Sequence, residues 1–257
     1  MSIHPTAVID PRAEIHPECE IGPYVVVEGP VKIQRGTRVM AHATIMGATE
    51  LGEGNEIHPG VVLGDAPQDK AYAGAETYLK IGSRNVFREF VQVHRGTAPE
   101  SSTVIGNDNY LMAGSHVGHN CRLGDQIVLA NGALLAGYVE VGDRVFISGN
   151  CVVHQFVRVG ELSLMRGLSG ASRDVPLYSI VDWQHTVRGV NVVGLKRVGW
   201  DEQKIRRLKE AYRILFRNGR NLSLAVRELE AKKELAPEVQ ALLEFIKSSK
   251  RGVCVGG

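Results

Sequence analysis

A large apolar residue returns at every sixth position along the first two thirds of this chain, and neither common secondary structure has that period. The series runs Ile3, Ile9, Ile15, Ile21, Val27, Ile33, Val39, Ile45, Leu51, Ile57 and Leu63, and resumes at Ile81, Phe87 and Val93. It then continues from Ile105 through Leu111, Val117, Leu123, Leu129, Leu135, Val141, Ile147, Val153 and Val159 to Met165. Only Asp69, Ala75 and Pro99 break it. A helix repeats at 3.6 residues and a half-buried strand at 2, so six fits neither. It fits a solenoid in which each hexad makes one flat side of a triangular coil and three sides make a turn of about 18 residues. About nine such coils, stacked at the spacing of neighbouring strands, account for the series.

Compact residues stand four places after many anchors, among them Ala7, Ala13, Cys19, Thr37, Ala43, Ser115, Cys121, Ala133 and Cys151. They are expected to face the core beside the anchors. Three of the four cysteines fall in this slot and none forms a CxxC pair, so they read as packing residues. Glycine directly follows many anchors, as at Gly22, Gly52, Gly64, Gly82, Gly106, Gly124, Gly142 and Gly160, and is assigned to corners that need a positive φ. The interruptions predict two loops, near 65–80 and 97–104, that leave the prism without shifting its frame. The first is polar, and long loops on rigid scaffolds often carry binding residues.

The grid ends at Met165, and the stretch from Asp174 to Tyr178 reads as the exit. That divides the chain into a solenoid, 1–173, and a helical part, 174–257. Helices are expected over 201–218, with Asp201 as N-cap and Gly219 as stop, over 222–234, and from Pro237 through Ile246. Such a part would cover the open edge of the last coil. A net charge of +2 makes no global case for nucleic acid, and no apolar run approaches the ~20 residues of a membrane span. The N-terminus lacks the basic and apolar regions of a signal peptide, so the chain reads as soluble and cytoplasmic. Charge is uneven, however: residues 196–220 hold nine Lys or Arg against three acids. That stretch is either a solvated helix face or a landing surface for an acidic protein.

Of nine histidines, His119 stands apart, two places past its anchor on a flat side of the coil. One turn further lies Gly137 and another turn further Gln155. A base, an unencumbered backbone N–H and a carboxamide in one column would suit acyl transfer, with His119 as general base and an amide as oxyanion donor. A polar surface column is the bland alternative. No GxSxG motif, activated thiol or phosphate-binding glycine loop competes, and no cofactor or metal is called for.

Specific motifs then carry a resemblance across the whole chain. They are Gln68-Asp69, Val93-His94-Arg95-Gly96-Thr97, Asp108 to Met112, Ser115-His116-Val117-Gly118-His119, Leu135-Ala136-Gly137, Val153-His154-Gln155-Phe156, Asp174-Val175-Pro176, Gly189-Val190-Asn191 and Gly194-Leu195-Lys196-Arg197. In this order the chain resembles the UDP-N-acetylglucosamine acyltransferases of lipid A synthesis, a family of hexapeptide-repeat enzymes. The resemblance implies a left-handed parallel β-helix, a handedness that periodicity alone leaves open. It also implies transfer of a (3R)-3-hydroxyacyl group from acyl carrier protein to the 3-position of the sugar nucleotide, in a homotrimer whose active sites lie between subunits.

By the same resemblance His119 is the base and Gly137 supplies the oxyanion N–H. Asp69, His116, His154 and Gln155 touch the sugar or acyl group, Asn191 and Arg197 lie on the nucleotide side, and Gly167 and His185 fall where acyl length is measured. The basic 196–220 segment would face acyl carrier protein. Three positions depart from the family pattern: Asn120 replaces an aspartate after the base, Tyr138 replaces a histidine after the oxyanion glycine, and Ala71 replaces a lysine, with Lys70 one place earlier. The last change predicts that a 3-amino sugar nucleotide is accepted at least as well as the 3-hydroxyl one. Two rival readings share the solenoid. The pathway's later N-acyltransferase carries an extra N-terminal domain. A zinc carbonic anhydrase would need three imidazoles converging across a trimer, for which His94, His116 and His119 have a narrower spacing than that family's.

Overall fold

The computed structural model describes residues 2–216, 221–232 and 234–256. Through most of it the chain winds as two- to four-residue strands, most of them ending on an anchor, and every pairing within the prism is parallel. Ser2 pairs with Glu20 and Val128 with Phe146, so one turn is 18 residues. Three sheets of twelve, nine and eight strands form the faces. The prism is a left-handed parallel β-helix. From Ile21 onward its anchors are buried, and so are Cys19, Cys121 and Cys151 between them. All four cysteines are free thiols, and burial pushes that of Cys121 up to about 12.

A polar ladder shares the compact slot. Asn85 donates its backbone and side-chain N–H to Asn55 Oδ1 at 2.9 and 3.0 Å, and Asn109 repeats both bonds to Asn85 Oδ1 at 2.9 Å. Remaining carboxamide hydrogens go to Gly52, Gly82, Gly106 and Gly124 carbonyls, so buried amide groups are paired from coil to coil.

The corner glycines need a correction. Gly22, Gly52, Gly82, Gly106, Gly124, Gly142 and Gly160 have no positive φ; Gly64, at +79°, is the exception among those named. The left-handed residue sits two places later, and it is often not glycine: Tyr24, His42, Arg84, Phe90, Asn120, Tyr138 and Phe156 all have φ near 60°. Glycine after the anchor answers crowding instead. A Cβ on Gly82 would lie 2.6 Å from the Gly106 carbonyl oxygen, and one on Gly106 would lie 2.6 Å from that of Gly124.

Two rungs are longer than 18 residues. Leu63 pairs with Val93 across 30 residues, and Val93 with Val117 across 24. The inserts are therefore twelve and six residues, whole multiples of the repeat, which is why the grid stays in phase. The loops that hold them run over 66–77 and over the seven residues 95–101, slightly shorter than expected, because Asp65, Tyr78 and Ser102 belong to extended flanking strands.

After the last coil, strands Ser179–Asp182 and Thr186–Val190 form an antiparallel hairpin that extends the twelve-stranded sheet, and Val255–Gly256 closes its far edge. Among the described residues four helices follow the hairpin: α1 (Val192–Arg197), α2 (Glu202–Leu215), α3 (Leu222–Glu230) and α4 (Pro237–Lys247). Asp201 caps α2 by accepting from Lys204 N–H, and Pro237 opens α4 as expected. The stripe Ile205, Leu208, Tyr212, Leu215 and Phe216 is buried. The expected stop at Gly219 lies outside the described residues. Arg158 joins the helices to the prism: it pairs with Asp174 at 2.9 Å, donates to the Phe245 carbonyl and Ser248 Oγ of α4, and stacks on the Phe245 ring. Among the described residues no helix is long and apolar enough to cross a membrane.

Candidate active site

The expected column exists, at a corner rather than on a flat side. His119 and Asn120 form the turn after strand His116–Val117, and Tyr138 N–H donates to the His119 carbonyl at 2.9 Å, as Phe156 N–H does to that of Gly137 at 3.1 Å. The corner matters because a turn residue points along the surface, where an inserted loop can reach it. A Cβ built on Gly137 would sit 2.5 Å from both Cε1 and Nε2 of His119, so the imidazole lies over this glycine. An alanine there would displace the ring. Among the described residues no acceptor takes the Gly137 N–H.

The 66–77 insert folds over the column. Asp69 Oδ2 stands 3.5 Å from His119 Nε2, and Ala71 N–H holds the Asp69 carboxylate at 2.9 Å. On the other ring nitrogen, Nδ1 lies 3.0 Å from Asn120 Oδ1. A cavity of about 440 Å³ is lined by Gln68, Asp69, Lys70, His116, His119 and Gln155, with His94 and Gly137 completing its wall. Lys70 thus supplies an ammonium in this cavity although Ala71 occupies the position expected for it.

His116 is pushed down to about 4, first by burial and then by the neighbouring His94 and His119, so it is neutral at physiological pH. His94 is a further functional candidate, to which the sequence assigned no role in acyl transfer. It is buried, its Nδ1 lies 2.7 Å from the Ala66 carbonyl, and its Nε2 has no partner. Its ring centroid is 5.2 Å from that of His116. The only sequence signal was its place one rung before His116; its burial comes from the loop. Tyr138 meets His119 edge-on at 5.3 Å and stacks on Phe156 at 4.8 Å.

Through His116 and Ala136 this cavity opens into an apolar groove of about 900 Å³, bounded by Phe90, Leu134, Val152 and Ala171, with His154 and His185 at its rim. The His185 ring lies against Ser172, and burial lowers its pKa. Three expected residues stand apart from both spaces. Gly167 is exposed at an outer corner, and Arg197 is exposed at the end of α1. Asn191 is buried, where its carboxamide donates to the Leu162 carbonyl and caps α1 at Gly194. Among the described residues no three of His, Cys, Asp and Glu are grouped to hold a metal ion.

An imidazole over a free backbone N–H, beside an acyl-sized groove on a hexapeptide solenoid, fits an acyltransferase of the hexapeptide-repeat class. Comparison with known proteins narrows this. Residues 102–137 match the bacterial transferase hexapeptide model, and 174–254 match the second domain of UDP-N-acetylglucosamine O-acyltransferase. The chain is 45% identical over 256 residues to the acyl-[acyl-carrier-protein]–UDP-N-acetylglucosamine O-acyltransferase of Syntrophobacter fumaroxidans, covering 98% of this chain and 99% of that one. It is 43% identical over 254 residues to its counterpart in Thermodesulfovibrio yellowstonii, covering 98% of both. The solved UDP-N-acetylglucosamine O-acyltransferase of Moraxella catarrhalis superposes with a TM-score of 0.93 at 39% identity, over 99% of this chain and all of that one. The chain belongs to the acyl-[acyl-carrier-protein]–UDP-N-acetylglucosamine O-acyltransferase family.

Proposed function

We propose that this chain transfers a (3R)-3-hydroxyacyl group from an acyl carrier protein thioester to the 3-position of UDP-N-acetylglucosamine or its 3-amino analogue, the first step of lipid A biosynthesis. The observation that carries this is the His119 imidazole standing over the unpartnered Gly137 N–H, where a polar cavity meets an apolar groove. His119 Nε2 takes the proton of the sugar 3-hydroxyl as that oxygen attacks the thioester carbonyl. The Gly137 N–H receives the oxyanion. Collapse expels the carrier thiolate, which recovers the proton from His119. Asp69, His116 and Gln155 orient the sugar, His154 and His185 border the acyl chain, and Gly167, at an outer corner of this subunit, would meet the far end of a long chain only in the trimer. Asn191 and Arg197 act on the nucleotide side in a homotrimer whose sites lie between subunits, acting in the cytoplasm. There the exposed bases of α2 would receive the acidic carrier. Two bases of that segment, Arg217 and Arg220, lie outside the described residues.

Mass spectrometry of products from a panel of acyl carrier protein thioesters, with 3-hydroxyl and 3-amino acceptors in competition, tests this reading. The 3-acylated sugar nucleotide is expected, with the amino acceptor used at least as well. His119→Ala should lose about 10³-fold in kcat with the fold intact. Retained turnover in that variant would overturn the mechanism.

A further inference from the structure

Only the cavity-facing nitrogen of His119 can serve as the base, so the other nitrogen must carry the proton. A carboxylate beside Nδ1 would enforce that with either oxygen. An amide has one accepting and one donating end, and the wrong rotamer would select the inactive tautomer. In this chain the neighbour is an amide, Asn120, and a third group decides its orientation. The backbone N–H of Thr97 lies 3.0 Å from Asn120 Oδ1. A backbone N–H can only donate, so the atom it meets is the oxygen. That same oxygen is 3.0 Å from His119 Nδ1, which must therefore be the donor.

The backbone is held as firmly as the side chain. Asn120 has φ 61°, a left-handed conformation that asparagine tolerates better than most residues, and its N–H donates to Thr103 Oγ1 at 2.8 Å. Thr97 belongs to the 95–101 insert and Thr103 to the strand that follows it. The shorter insert and the strand that follows it thus each send one contact back to the residue beside His119. On the opposite side of the ring, Asp69 Oδ2 faces Nε2 at 3.5 Å. With Nδ1 protonated and Nε2 bare, that carboxylate meets an N–H only after His119 has taken a proton. The other titratable groups around the ring are Lys70 in the same loop, His116 in the same coil, His94 one rung before it and Tyr138 one rung after it.

We propose that Asn120, oriented by the backbone N–H of Thr97, locks His119 in the tautomer with a bare Nε2, and that Asp69 separately stabilises the imidazolium. Asn120 and Thr97 are positioning residues. The proposal rests on His119 being the base, but its test needs no turnover. Ring ¹⁵N shifts of His119, assigned by difference from His119→Gln in the substrate-free protein, should show Nδ1 protonated and Nε2 bare above the titration. Asn120→Leu should return a mixture of tautomers and lower kcat roughly 10- to 100-fold, with KM for the sugar nucleotide little changed.

Asn120→Asp should keep the tautomer, because either carboxylate oxygen accepts from Nδ1; Asp69→Asn should keep it too yet lower kcat about 10-fold, because the imidazolium then loses its carboxylate partner. Thr97→Pro removes the orienting donor, so it should loosen the tautomer in the Asn120 protein. It should do so far less beside Asn120→Asp, whose oxygens are equivalent. A bare Nδ1 in the parent protein, or an unchanged tautomer in Asn120→Leu, would overturn the lock. An intact lock with full turnover in His119→Ala would instead overturn the reading of His119 as base.

Discussion

Two corners of the prism carry polar columns at the same position of the repeat. Two places past the anchors of one sheet stand His119, Gly137 and Gln155; two past those of another stand Asn107, Asp125, Asp143 and Glu161. In the second column three successive rungs satisfy one another. Asp125 Oδ1 accepts the Asn107 backbone N–H at 2.6 Å, and Asp143 Oδ1 accepts that of Asp125 at 2.8 Å. Those backbone donors are spent within the column. In the first column the middle side chain is missing, its N–H is free, and an inserted loop brings a carboxylate to the imidazole. Repeat position therefore does not make a site. An unspent donor, a gap where a side chain would stand, and a loop that encloses both do.

Glycine substitutions should separate the two columns most sharply. Gly137→Ala places a methyl group where the His119 ring lies and should cost about 10²-fold in kcat, a loss of the size seen when an oxyanion donor is disturbed. Its melting temperature should hold. Gly106→Ala should do the reverse, since its Cβ would meet the Gly124 carbonyl at 2.6 Å and collide with the Asp125 carboxylate. Overpacking of that kind costs about 2 kcal/mol, and thermal unfolding should fall by about 5 °C with kcat unaltered. If both variants lost activity alike, the distinction between the columns would fail.

Asp143→Ala removes one acceptor from the structural ladder. It should cost about 1 kcal/mol in denaturant unfolding and nothing in turnover. The smallest effect is a slope. His116 has its pKa lowered from 6.5 to about 4, so the unfolded chain binds its proton first as pH falls. Stability should therefore decline from about pH 6.5 towards pH 4, and His116→Gln should flatten that part of the unfolding profile.

The prism was legible because every anchor obeys one period, and the column because adding one turn twice to His119 reaches Gly137 and Gln155. The hairpin between Ser179 and Val190 was not legible. Its turn uses Trp183 and His185 in left-handed conformations, without the glycine or asparagine that announces such a turn. Helices α2 and α4 were announced by Asp201 and Pro237, whereas the six residues of α1 are too few to show a periodic stripe. Within the site, Asp69 could be placed near His119 only by resemblance, because a loop of twelve residues has no period to read. His94 was missed for the same reason, since the carbonyl that buries it belongs to that loop. The crowding that forbids side chains after the anchors is likewise a relation between coils, invisible in any single hexad.

The inserts that carry Asp69 and Thr97 are whole multiples of six residues, so each could be excised without changing which side of the chain meets the core. Removing residues 66–77 would bring Asp65 directly onto Tyr78 and leave Leu79 and Ile81 in their inward slots. The molecule is in this sense modular: a plain rod and a detachable cassette, joined at a seam where the cassette can be lengthened, exchanged or deleted by the hexad.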